Sequence, residues 1–129
     1  MATNLLQAFN DHFTSFVDDI QTIYPDDIDI TSAKNSITTL RKMNPRLVIM
    51  VWNDRIVSKY DQEITSGNLD FFLNKDYSDD LSDNPNNKKI MEAIDRIRIP
   101  IKNMEQGNRE KSMKYVQNLS KLCKLYFNK

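Results

Sequence analysis

One stretch of this chain, Asn44 to Gly67 (NPRLVIMVWNDRIVSKYDQEITSG), limits the possible folds more than any other. It holds six consecutive apolar residues, Leu47 to Trp52, and the only tryptophan. Asn44 can accept a hydrogen bond from the free amides of a first helical turn, and Pro45 suits the first helical position because its missing N–H has no partner there. Gly67 can take the left-handed conformation that ends a helix. Between these signals Ile49, Trp52, Ile56, Tyr60 and Ile64 recur every three or four residues. At roughly 1.5 Å per residue they form a buried stripe about 20 Å long. A strand over Leu47 to Trp52 competes, because Val48, Ile49 and Val51 are β-branched, but the periodicity continues to Ile64 and favours a helix. The first half is apolar all round, which predicts a central element with neighbours on several sides.

The rest of the chain is expected to pack around this helix as further helices. Two glycines and four prolines in 129 residues leave little turn chemistry for hairpins or sandwiches. A first helix is predicted over about 4–24, with Leu6, Phe9, Phe13, Phe16, Val17 and Ile20 on one face, stopped by Pro25. Asp27 or Asp29 can cap a second over 29–43, which carries Ile30, Ala33, Ile37 and Leu40. The central helix follows over 45–65. Links this short favour antiparallel neighbours in a bundle.

Beyond Gly67 the pattern is less regular. Leu69, Phe71, Phe72 and Leu73 predict a short helical turn tucked under the bundle, and Asp76 to Asn87 an acidic surface loop. A fourth helix over 86–99 carries Ile90, Met91, Ile94 and Ile97, and Pro100 is expected to break or kink it at a cost of about 3 kcal/mol. A last helix over 109–127 places Tyr115, Val116, Leu119, Leu122, Cys123 and Tyr126 on one arc. Lys111, Lys114, Lys121 and Lys124 fall on the opposite arc. The expected fold is therefore all-α, a single domain over 1–129 built as a compact bundle of about five helices with a long central helix and one acidic loop.

Catalytic and metal-binding patterns are sparse. His12 is the only histidine and reads as a boundary residue of the first helix rather than a ligand or a base. Cys123 is the only cysteine, which forbids an internal disulfide; on the apolar arc of the last helix it reads as a small core residue, not a nucleophile. Gly67 and Gly107 cannot make a phosphate-binding loop. Asp76, Asp79, Asp80 and Asp83 lack the central glycine and closing glutamate of an EF-hand loop. No enzyme activity, cofactor or metal is expected. The opening MATNLLQAFND lacks the basic start and apolar core of a signal peptide, and no apolar run is long enough to span a bilayer, so an intracellular soluble protein is expected.

A net charge of zero conceals a split. Residues 1–30 carry six aspartates and no lysine or arginine, whereas residues 101–129 carry seven basic and two acidic residues, a net of +5. Such a chain can be complementary to itself, end to end or copy to copy, or to a partner. Two candidate partner-binding patches follow. One is Phe71, Phe72 and Tyr77 beside the acidic loop, aromatic anchors with a polar rim. The other is the lysine arc, Lys111, Lys114, Lys121 and Lys124, for which the aspartates of the first helix are the alternative partners within the chain. Lysines on one arc can also meet phosphates, but the aromatics needed to stack bases lie on the buried side, so nucleic acid is the weaker expectation.

The segment NPRLVIMVWNDRIVSKYDQEITSGNLDFFLNKDYSDDL resembles small helical proteins of large nucleocytoplasmic DNA viruses of the algal-virus and amoebal-virus lineage. The shared words are Asn44-Pro45, Trp52, Tyr60, Gly67, Asp70-Phe71-Phe72 and Lys75-Asp76-Tyr77; Arg98 to Met104 and Ser112 to Leu122 add to the likeness. These words are structural and carry no catalytic residues. The resemblance implies a virion component, foremost a minor capsid protein that associates with coat proteins or with itself, located in the virion and, during infection, in the host cytoplasm or virus factory. The alternative it implies is a regulatory module acting on nucleic acid or transcription proteins during infection.

Overall fold

The computed structural model describes residues 4–70 and 85–127, with the backbone alone for 85–87. All regular structure among them is helical: α1 (Leu5–Ile23), α2 (Ile28–Met43), α3 (Leu47–Trp52), a π-helical segment (Asn53–Val57), α4 (Ser58–Ser66), α5 (Pro85–Lys102) and α6 (Gln106–Phe127). The expected short helix near Leu73 and the acidic loop 76–83 lie outside the described residues, save that Leu69 is half-buried against the core.

Each boundary has a local cause. Asp27 caps α2, its Oδ1 accepting from the backbone N–H of Asp29 at 2.9 Å and of Ile30 at 3.3 Å. Asn44 Oδ1 accepts from the backbone N–H of Arg46 at 3.1 Å, so it opens the turn that leads into α3 two residues later than the proline signal placed the helix. Gly67 closes α4 in the left-handed conformation, φ 80°, and Asn68 donates back to the carbonyl of Glu63 at 2.9 Å.

Leu47 to Ser66 form one rod, as the stripe predicts, but not one regular α-helix. Ser58 donates its backbone N–H to the carbonyl of Asn53, an i→i+5 bond, and Tyr60 leaves helical geometry at φ −126° and ψ 24°. The stripe explains why the wider turn is useful. From Trp52 onward its members are four apart, and each step of four overshoots a 3.6-residue turn, so the stripe would wind away from the core. A turn that holds an extra residue takes up the excess. Ile49, Trp52, Ile56 and Ile64 are all buried and Tyr60 half-buried, on one side of the rod.

Pro100 does not end α5 at residue 99; the helix continues to Lys102. The proline forfeits one backbone bond, to the carbonyl of Arg96, but only two residues of helix follow it and its ring is buried. Asn103 then closes the helix by donating to the carbonyls of Ile99 and Pro100, both at 3.2 Å.

The packing has α3 at its centre, in contact with α1, α2, α5 and α6, while α1 lies along α6 and α2 along α5. The all-round apolar start of the rod thus finds neighbours on several sides, with Met50 left exposed. Trp52 is fully buried, with the rings of Phe13 and Phe9 edge-on to it at 5.8 and 6.3 Å. Its indole N–H donates to Ser120 Oγ of α6 at 3.1 Å, so the polar edge of the largest core side chain is satisfied where it meets the last helix.

Candidate functional site

Helix α6 carries the candidate surface because its two sides differ in kind. Met113, Val116, Leu119 and Cys123 face the core, with Tyr115, Leu122 and Tyr126 at its edge, and Gln117 donates to the carbonyl of Ile64 at 3.0 Å, fixing the helix against α4. Lys111, Lys114, Lys121 and Lys124 are all exposed on the outer side. Lys124 is ion-paired with Asp61 of α4. Among the described residues Lys111, Lys114 and Lys121 have no ion pair.

The aspartates of the first helix are not the partners of these lysines. Asp11 pairs with Arg41 at 2.6 Å and Asp18 with Lys34 at 2.7 Å, both cations belonging to α2, and Asp19 accepts from the hydroxyl of Tyr115 at 2.5 Å. The reason is placement: Arg41 and Lys34 of α2 come within reach of Asp11 and Asp18, whereas the side of α6 that meets α1 carries Tyr115 and its lysines lie on the outer side. Among the described residues, two of the six aspartates of residues 1–30 are ion-paired, and one of the four lysines on the outer side of α6 is.

One residue of this surface was not singled out from the sequence. Leu125 is 58% exposed, and it follows Lys121 by one helical turn and Lys114 by three, so it shares their face. A leucine inside a lysine arc at helical spacing is the signal that marks it. The other predicted patch, Phe71, Phe72 and Tyr77, lies outside the described residues. Lys114 and Arg109 share an open groove with Leu69 and Asp70, the last described residues before that segment.

A second feature lies where the C-terminal half of α1 meets the start of α6. A cavity of about 120 Å³ opens there, walled by Phe16, Ile20, Ile23 and Met104, with Asp19, Lys111 and Tyr115 at its polar side. The rings of Phe16 and Tyr115 stack with centroids 5.0 Å apart and planes 19° from parallel. Burial, the bond to Asp19 and the charges of Asp19 and Asp18 push the Tyr115 hydroxyl up to about 12.

The remaining chemistry-bearing residues are structural. Cys123 is buried and directs its thiol at the carbonyl of Ile49 at 3.7 Å and at Asn53 Oδ1 at 3.8 Å; burial, with Asp54 nearby, pushes it up to about 12. A thiol held protonated in the core is a poor nucleophile. His12 lies against the ring of Tyr115, centroids 4.8 Å apart, and its Nε2 is buried without a hydrogen-bond partner among the described residues. Burial lowers its pKa from 6.5. Among the described residues no group of His, Cys, Asp or Glu is arranged to hold a metal ion, and no helix is long and apolar enough to cross a membrane.

No protein family, curated protein or solved structure matches this chain.

Proposed function

We propose that the chain is a non-enzymatic interaction protein that docks an acidic protein surface onto the outer face of α6. The observation that carries this reading is the set of three exposed lysines, Lys111, Lys114 and Lys121, left without ion pairs among the described residues while the aspartates of α1 are engaged elsewhere. Leu125 supplies an apolar anchor within that rim, the combination that interfaces use. Lysines at a rim govern the rate and salt dependence of docking, and a desolvated leucine its strength.

On the viral resemblance of the sequence, we propose that this docking takes place in a particle. The protein is then a minor capsid-associated component of a large DNA virus, lying against coat subunits or a second copy of itself. Quantitative mass spectrometry of purified particles tests the assignment: a fixed ratio to the major coat protein is expected, and absence from particles with abundance in infected cells overturns it. The docking face is tested by sedimentation with the coat protein. Lys114→Glu with Lys121→Glu is expected to abolish association at low salt without changing the melting temperature, and undiminished association removes the lysines from the interface. If the pair of substitutions instead abolishes binding of DNA or RNA, the regulatory module takes the place of the capsid component.

A further inference from the structure

The cavity between α1 and α6 has a size and a chemistry of its own. Its volume of about 120 Å³ is comparable with the roughly 150 Å³ of an apolar protein cavity that accepts benzene. Phe16, Ile20, Ile23 and Met104 form apolar walls, and the stacked rings of Phe16 and Tyr115 offer an aromatic surface to a flat guest. Such a lining, with a few converging polar groups, is what small-molecule sites have in common.

The polar side decides the class of guest. Asp19 Oδ2 accepts one bond, from Tyr115, whereas a carboxylate has room for about four. It can therefore take a second donor from a molecule in the cavity. Lys111 lies on the same rim, so the pair carries no net charge, and each charged guest that one of them attracts the other repels. We infer that this cavity binds a small uncharged aromatic molecule of phenol size, with its ring between the walls of α1 and Met104 and its single O–H or N–H donating to Asp19. This site shares Lys111 with the docking face, but its occupation does not depend on docking.

Titration of the full chain with phenol, benzene and benzoate, followed by amide shifts in ¹H–¹⁵N NMR spectra, tests the inference. Phenol is expected to give saturable, one-to-one shifts centred on Phe16, Asp19, Ile20, Ile23 and Tyr115. It should bind about tenfold more tightly than benzene, the value of one hydrogen bond to a charged acceptor, and more tightly than benzoate. Ile23 is 38% exposed at the mouth, so Ile23→Trp should block phenol while leaving the rest of the spectrum in place. Shifts that do not saturate, benzene binding as tightly as phenol, benzoate binding more tightly, or a folded Ile23→Trp chain that still binds phenol would each overturn it. Should Ile23→Trp not fold, the ranking of the three probes decides alone.

Discussion

Trp52 concentrates the energetics of the core in one side chain. It meets two phenylalanines of α1 and donates to Ser120 of α6, so its removal loses apolar contacts, leaves a void and strips a buried hydroxyl of its donor. Trp52→Ala is expected to cost about 3–5 kcal/mol by chemical denaturation, and an unchanged midpoint would mean that the indole is not central. His12 makes the fold sensitive to acid. Its folded pKa lies below 6.5 because burial disfavours the imidazolium, whereas in the unfolded chain it titrates near 6.5. The stability it contributes is therefore present above pH 6.5 and lost as pH falls through the folded value. The melting temperature of the parent should drop on acidification below 6.5, and that of His12→Gln should drop less; parallel curves would clear His12 of this role.

At the scale of elements, the rod from Leu47 to Ser66 is the informative case. Its start, stop and stripe were legible because each depends on neighbours in sequence: Asn44 before the first turn, Gly67 at positive φ, and apolar residues every three or four positions. The π-helical segment was not legible, because it is chosen by the need to hold Trp52 and Ile64 against the same core. Deleting Asp54 removes the extra residue, so the segment can close as an α-turn with Trp52 and Ile64 still on one side of the rod. The loss in equilibrium urea denaturation should therefore stay below the about 2 kcal/mol expected from exposing Ile64, and a loss of that size or more would mean that the wide turn does not keep the stripe in register. The extension of α5 through Pro100 follows the same logic, since a buried ring in the last turn offsets a single forfeited backbone bond.

For the whole molecule, the central question is where opposite charges meet. Arg41 and Lys34 hold Asp11 and Asp18, and Tyr115 holds Asp19, while Lys111, Lys114 and Lys121 of α6 have no ion pair among the described residues. Because those pairs are half exposed, each is worth at most about 1 kcal/mol, and their arrangement matters more for which surface is left open than for stability. Added salt should therefore release a partner from α6 well before it melts the bundle, and simultaneous loss of both would tie the lysines to folding instead. The sequence by itself determined the helical class, the caps, the stripe and the two-sided character of α6, since all of these arise from interactions within a turn or two of chain. Only the tertiary structure decided that α2 takes Asp11 and Asp18 of α1, that Leu125 stands in the open beside lysines without ion pairs among the described residues, and that a cavity opens where α1 meets the start of α6. Those outcomes depend on which helices become neighbours, and neighbours distant in the chain are selected by shape and packing across the core, which no local pattern records.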